Sequence, residues 1–421
     1  MTEMLGEHDL DDMFDIDDDA ERNGGGVVED PYPIWADLLA KGPVHKGGIG
    51  GLTGRSDDRG AMFIEGMEHY SVFNFAGVSE VFTRKDDFNS GHYQDMGTFT
   101  DTILAMDGPI HRSYRDIIQE HFQPAQASGW WREHVIANLV DQLVGRFEKR
   151  DRVDLNAQFF ARLPMQTVTA GFGLSAQEGL EFRRGLLAAM HSETPPQQKM
   201  EHMQAATAIL EKVVRERQTE PRDDVISRLV KAEVEDADGT KRPLTVSEVA
   251  SFCKLIVFAG GGTTWKQLGI TTFALLNNPE QMEQVRADRS LLPKAILEGA
   301  RWYPNDPVFA RKAMRDTELQ GVAIPKDAIM HLCLGAANRD PSRWENPEVY
   351  DLNRPVQRSL AFAAGAHSCL GQHVAREEML GAINALLDRF PNLRWDPSQP
   401  PAKLSGGLIS RGPGPLHVLL N

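Results

Sequence analysis

A chain of 421 residues that is 41% hydrophobic, with a mean hydropathy of -0.37, has material for a sizeable core and no uninterrupted apolar run that reads as a bilayer span. Of the formal charge of -15, ten units sit on the carboxylates of Met1 to Glu21, so the remainder carries only -5 and offers no basic footprint for nucleic acid. Three cysteines, at 253, 333 and 369, are too scattered for a disulfide framework or a clustered zinc site, and the N-terminus lacks a basic start and an apolar export segment. A cytoplasmic protein with no membrane and no nucleic-acid partner is expected.

The first 23 residues are acidic and read as a disordered tail, leaving 24–421 as one folded domain. Asp30-Pro31-Tyr32-Pro33 introduces an amphipathic helix, Ile34 to Ala40, with Trp35, Leu38 and Leu39 on its apolar side. Lys46 to Arg59 is glycine-rich and polar and reads as a surface hairpin loop. Ala61 to Ile64 and Tyr70 to Phe73 read as a pair of strands, followed by a helix over Phe75 to Thr83. Phe88 to Met106 has no clean period and reads as a loop. From Asp107-Gly108-Pro109 a helix begins on which His111 and Arg115, four apart, share a face.

Helices are predicted for Trp131 to Lys149, Asn156 to Phe172, Ala176 to Met190 and Lys199 to Gln218, the third opened by a Ser175/Glu178 capping box. A second box, Thr245/Glu248, opens a long hydrophobic helix from Val249 to about Leu276. Its middle, Ala259-Gly260-Gly261-Gly262-Thr263-Thr264, is costly, since each interior glycine loses about 1 kcal/mol against alanine. Close packing or function must offset that cost, and a local widening of the helix is one expected form. Leu291 to Trp302 is a helix bearing Glu298 and Arg301. Asp316 to Pro325 and Ala328 to Leu334 read as a hairpin.

Phe362-Ala363-Ala364-Gly365-Ala366-His367-Ser368-Cys369-Leu370-Gly371 then places one cysteine in a glycine-rich loop before a helix, Gln372 to Arg389. Backbone N–H groups at that helix start would favour the thiolate. Such an arrangement suits an axial ligand to iron beside a flat cofactor. Spacing alone leaves open a buried structural cysteine.

The decapeptide resembles the haem-binding signature of the cytochrome P450 superfamily, Phe-x-x-Gly-x-His-x-Cys-x-Gly, and other blocks agree in order over Asp30 to Asn421. The resemblance implies a mainly α fold with small β sheets, and haem b between the long central helix and the cysteine loop. Cys369 would be the iron ligand, with Phe362 packed by the sulphur and Gly365 and Gly371 allowing close approach. Asp107-x-Pro109-x-His111-x-x-x-Arg115 resembles the propionate block, so His111 and Arg115, joined by Arg311 and His367, would meet the haem carboxylates. Glu298, Arg301 and Arg354 match the family's buried structural network.

Ala259 to Thr264 resembles the oxygen-binding motif, in which Thr263 falls on the threonine that hydrogen-bonds dioxygen and helps deliver protons; Thr264 follows it. Gly262 stands where the family carries an acid. Lys266, Gln267 and Glu248 are the nearest replacements in sequence, none of them convincing by spacing, and a water chain through Thr263 and Thr264 is the plain alternative. Tyr93, Met96, Phe99, Leu104, Leu408 and Ile409 are lining candidates.

The implied function is a monomeric haem-thiolate monooxygenase acting with dioxygen on a hydrophobic small molecule, by C–H hydroxylation, O-dealkylation or epoxidation. Electrons would come from a ferredoxin and its NAD(P)H-dependent ferredoxin reductase, docking near Arg112, Arg376 and Lys85. The Gly262 departure supports an alternative, a peroxide-driven peroxygenase. A non-catalytic haem binder such as a gas sensor is a third reading.

Overall fold

The computed structural model describes residues 26–55, 62–96, 99–191, 194–236 and 238–421, so the acidic segment 1–23 lies outside the described residues. In chain order, helix α1 (Tyr32–Lys41) buries Trp35 completely and leads into strand β1 (Val44–Lys46) and, further on, β2 (His69–Val72). Helix α2 (Phe75–Thr83) is capped by Asn74, whose side chain accepts from the Gly77 N–H at 3.0 Å. Strand β3 (Phe88–Asn89), helix α3 (His92–Met96) and helix α4 (Gly108–Gln119) follow.

The helical body continues with α5 (Arg162–Gly171), the capped α6 (Ala176–Met190), α7 (Pro196–Thr219) and the central α8 (Val246–Asn277). Helices α5 and α7 pack on α8, and α6 lies against α7, so apolar faces from both sides bury most of the central helix. By length and hydropathy α8 alone, among the described residues, matches a bilayer span, and half of its apolar window is buried in the protein. Thr245 and Glu248 form the expected reciprocal cap, 3.2 Å and 2.7 Å, and Arg242 holds the same Glu248 carboxylate at 2.8 Å.

Helix α9 (Leu292–Trp302) precedes strands β4 (Val308–Ala313), β5 (Thr317–Leu319), β6 (Val322–Ile324) and β7 (Ile329–Cys333). Helix α10 (Gln372–Arg389) and the hairpin β8 (Leu404–Gly406) and β9 (Arg411–Pro413) complete the site's framework. The largest sheet has the order β1-β2-β7-β4-β3, with β7 parallel to β2 and the other pairs antiparallel. The architecture is mainly helical with small sheets, as the resemblance implied.

Three local expectations change. Residues 62–64 form no strand, Met62 having φ +59°, and Ala61 lies outside the described residues; β2 pairs with β1 and β7 instead. Within the polar 46–59 stretch Ile49–Leu52 is a helical turn, because Ile49 is drawn fully into the cluster around Trp35. Strands β5 and β6 pair only with each other, while β7 joins the large sheet. Strand partners of this kind are set by the rest of the fold rather than by local pattern.

One buried acid predicts a stability profile. Glu378 on α10 is 2% exposed, and burial raises its carboxyl to about 8, opposed only by a hydrogen bond from Thr167. Above its ordinary value of 4.5 the unfolded chain loses this proton while the folded chain keeps it, so stability falls as pH rises from about 4.5 to about 8. Glu378→Gln should flatten this slope and raise stability at pH 8, measured by urea unfolding across that range. An unchanged slope refutes the assignment.

Candidate functional site

The cysteine loop is shaped by two left-handed residues, Ala363 at φ +55° and Gly365 at φ +72°. A Cβ on Gly365 would lie 2.2 Å from the Phe82 carbonyl oxygen, so this position takes no side chain. The Cys369 N–H donates to the Phe362 carbonyl at 2.9 Å and the Ser368 N–H to Gly365 at 3.1 Å, which closes the loop. Helix α10 starts immediately afterwards, with Gly371 as its cap. Apart from its chain neighbours and its own helix backbone, no atom of the described residues lies within 4 Å of the place a Gly371 Cβ would take, so the loop leaves an open cradle on that side.

Cys369 differs from the other two thiols. Cys253 and Cys333 are buried, whereas Cys369 is exposed to solvent. Desolvation by the protein around it pushes the Cys369 thiol up, and the Gly371 N–H, the Arg115 guanidinium and the Gln372 N–H pull the other way. The helix-start contribution therefore has the expected sign, but the net shift opposes it. Desolvation of the charged sulphur outweighs a few partial charges, and a metal cation would reverse the balance.

Around this loop, cationic and imidazole groups converge from separate elements. The His111 and His367 rings lie against each other, tilted by 34° with centroids 4.1 Å apart. His367 Nε2 lies 3.3 Å from Asp107 Oδ1, and the other carboxylate oxygen accepts from the Ser90 N–H at 3.0 Å. Arg115 donates to the Ser368 carbonyl at 2.7 Å, fastening α4 to the cysteine loop. Arg311 on β4 is 6% exposed, donates to the Ala310 carbonyl at 2.7 Å and lies over the Phe82 ring at 5.2 Å.

Neither Arg115 nor Arg311 forms an ion pair with a described carboxylate, and burial pulls both guanidinium values down. Burial, His367 and Arg115 hold His111 at about 4, and its Nε2 has no partner. The buried Arg311 guanidinium, the half-buried Arg115 guanidinium and an orphaned imidazole, with Asp107 as the nearby acid, are the complement of a group bearing carboxylates. The donor set and the glycine cradle fit haem, with Cys369 as the sulphur ligand.

His92 belongs to the same cluster and was not singled out from sequence. It is fully buried, neither ring nitrogen has a partner, and burial followed by Arg311, His331 and His367 pulls its value well down. No motif marks it, because α3 lies in the aperiodic stretch read as a loop.

The middle of α8 forms a second wall. Between the buried runs 249–257 and 264–272 of the helix, Ala259 is exposed and Phe258, Gly260, Gly262 and Thr263 are half-buried, Gly261 alone being buried. Thr263 Oγ1 donates to the Ala259 carbonyl at 2.8 Å, whereas Thr264 is buried in the packing and does not share the open face. The helix stays α-helical throughout, so the expected widening is absent. Close packing accounts for the glycines instead. A Cβ at Gly260 would meet Val168 at 2.7 Å, at Gly261 Met165 at 3.1 Å, and at Gly262 a terminal nitrogen of Arg183 at 3.2 Å.

The suggested acid replacements are committed elsewhere. Lys266 Nζ donates to Ser410 Oγ, Gln267 accepts from the Asn305 N–H at 3.2 Å, and Glu248 is held at the far N-terminal cap. Of the lining candidates, Tyr93, Phe99 and Leu408 are buried, Leu104 and Ile409 are half-buried, and Met96 is exposed. Behind the loop, Arg301 grips Glu298 at 2.6 Å and 2.7 Å, and Arg354 joins the same carboxylate at 3.2 Å. A separate polar cleft of about 590 Å³, between Gln166, Thr169, Arg217 and Asp224, contains none of the expected site residues.

Residues 190–420 match the family model for cytochrome P450. A C-19 steroid 1alpha-hydroxylase of Sorangium cellulosum is 30% identical over 373 residues, covering 83% of this chain and 92% of that protein. The crystal structure of the post-tailoring hydroxylase HmtN, involved in himastatin biosynthesis, is 30% identical with a TM-score of 0.73, covering 85% and 93% of the two chains. The structure of P450BioI with hexadec-9Z-enoic acid ligated acyl carrier protein is 25% identical with a TM-score of 0.79, covering 93% and 99%.

Proposed function

The chain belongs to the cytochrome P450 family and is a haem b monooxygenase, and from that premise we propose that it oxidises a small to medium hydrophobic molecule by C–H hydroxylation, with O-dealkylation or epoxidation as variants of the same chemistry. The observation that carries this reading is the pairing of Cys369, in its glycine cradle, with the unpaired cations Arg115 and Arg311. Haem held by a thiolate supplies reductive activation of dioxygen, one oxygen atom entering the substrate and the other leaving as water with two electrons and two protons. The acting unit is one domain over 24–421. Electrons are proposed to come from a ferredoxin and its NAD(P)H-dependent reductase in the cytoplasm, docking beside the exposed Lys85 and Arg112 and the half-buried Arg376.

Each residue then has a stated task. Cys369 ligates iron. His111, Arg115, Arg311 and His367 hold the carboxylates, which give each guanidinium an anion. Phe362 shields the sulphur, and Gly365 and Gly371 let the backbone lie close. Thr263 presents its hydroxyl at the open face of α8, releasing the Ala259 carbonyl to move a proton inward. Thr264, buried, supports that turn.

The test is turnover of a panel of hydrophobic compounds with ferredoxin, reductase, NAD(P)H and dioxygen, set against turnover with peroxide alone. Product only with peroxide would overturn the oxygen-dependent reading. That second reading is favoured by Gly262, since the possible acid substitutes are engaged elsewhere. Thr263→Ala should cut product per NAD(P)H by roughly 10² while peroxide release rises and ligand affinity holds, the signature of lost proton delivery. Unchanged coupling would remove Thr263 from the mechanism.

A further inference from the structure

We propose that the polar cleft bounded by α5, the start of α6 and the end of α7 binds an uncharged nucleoside, whose base edge pairs with the buried Gln166 carboxamide. The cleft shares no residue with the haem site and takes no part in the oxidation.

One face of α5 and its exit forms a wall of the cleft. Thr169, Ala170 and Gly173 line it three, four and seven positions after Gln166, the repeat of a single helix face. Thr167, next to Gln166, turns instead to Glu378 on α10. Gln166 is 3% exposed, and neither its amide nitrogen nor its amide oxygen has a hydrogen-bond partner among the described residues. Buried polar atoms are nearly always paired, because a bare one has given up its bonds to water for nothing. A carboxamide offers a donor and an acceptor side by side, so its complement carries an acceptor beside a donor. Nucleobases have that edge, as in the bidentate pairing of glutamine with adenine.

The other lining residues favour a ligand without phosphate. Glu178, Glu216, Asp223 and Asp224 outnumber Arg217 and Arg222. Three of the acids are already engaged: Glu178 with Ser175 and Lys212, Asp223 with Trp130 and Arg228, and Asp224 with Arg217 and the Ser227 N–H. Glu216 differs. The cations beside it, Lys212 at 3.7 Å and Arg217 at 3.9 Å, stand beyond hydrogen-bond length, so its carboxylate keeps acceptors for sugar hydroxyls. Arg217 joins Asp224 and the Gly173 carbonyl, both at 2.6 Å, and so ties the end of α7 to the exit of α5 and frames the cleft before a ligand arrives. Its volume of about 590 Å³ lies in the range of small-molecule sites.

The test is calorimetry on the haem-loaded enzyme, with uridine set against N3-methyluridine and adenosine against N6,N6-dimethyladenosine, whose base edges are blocked. At least one free nucleoside should bind with a Kd below about 1 mM and about tenfold tighter than its blocked partner, the scale of one or two lost hydrogen bonds. Its 5′-monophosphate should bind more weakly than the nucleoside. Gln166→Leu, which removes donor and acceptor together, should weaken the nucleoside at least about tenfold, with haem content and the reduced carbon-monoxide spectrum unchanged. Ala170→Leu, which fills the cleft from a half-buried position, should do the same should Gln166→Leu misfold. Occupying the iron with 4-phenylimidazole should leave nucleoside affinity as it was.

No heat from either nucleoside, equal affinity for free and blocked bases, or a monophosphate bound more tightly than its nucleoside overturns the proposal. So does an affinity unmoved by both variants, or one abolished by 4-phenylimidazole, since the nucleoside then sits in the haem pocket.

Discussion

Cys369→Ser should abolish the thiolate-ligated carbon-monoxide band and reduce monooxygenase turnover to background while the helical fold persists. Loop closure uses the Cys369 backbone N–H, not its sulphur, so the 2.9 Å bond to Phe362 survives the change. The loop also keeps its left-handed turns at Ala363 and Gly365 and its tie to Arg115 through the Ser368 carbonyl. A serine hydroxyl ionises far less readily than a thiol and donates less electron density to iron, so oxygen activation is lost even if haem is retained. Circular dichroism would confirm the fold, and the reduced carbon-monoxide spectrum would read the ligand. No other thiol should take its place, because Cys253 and Cys333 are buried and pushed up by desolvation, so a persisting thiolate band would remove Cys369 as the ligand.

Arg301→Leu should destabilise the protein by roughly 3–5 kcal/mol, the usual cost of stranding one member of a buried ion pair. Arg301 is 3% exposed and binds Glu298 through two nitrogens, at 2.6 Å and 2.7 Å. It also donates to the carbonyls of Asn338, Pro347 and Val349 at 3.0 Å, 2.7 Å and 3.0 Å. Removing it strands those acceptors and leaves Glu298 with Arg354 at 3.2 Å and the Asp351 N–H at 3.1 Å. Arg301→Lys should rescue little, since an ammonium cannot reproduce the planar fork. Glu298→Leu with Arg301→Leu should recover part of the loss by removing both charges. Urea unfolding with and without haem, and haem retention on gel filtration, measure the effect; a loss below about 1 kcal/mol would deny the network its structural role.

The parts readable from residue order were those whose cause is local. The caps at Ser175 and Thr245 formed where a hydroxyl stands three residues before a glutamate. Helix α6 has the predicted bounds, and α8 extends only a few residues beyond the prediction, because caps and hydrophobic run agree there. The Glu298–Arg301–Arg354 network, inferred from a family resemblance, has the implied members. Less was legible where partners are distant. Strand β2 chose β1 and β7 over residues 62–64, and Ile49 left a polar stretch for the Trp35 cluster.

By itself the sequence determined the class of this protein: the cysteine loop, the Asp107 to Arg115 block and the glycine-rich central helix occur in one order, and each is read from residues within a few turns. The buried network joins Arg354 to Glu298 across 56 positions and was legible only through the resemblance. Only the tertiary structure decided how that chemistry is set. It brought His92 and Arg311 beside His111 and His367, turned Thr263 to the open wall while burying Thr264, and put Arg183 against Gly262. It also set the net direction of the Cys369 thiol, since desolvation sums over every neighbour a group acquires, and those neighbours come from segments far apart along the chain.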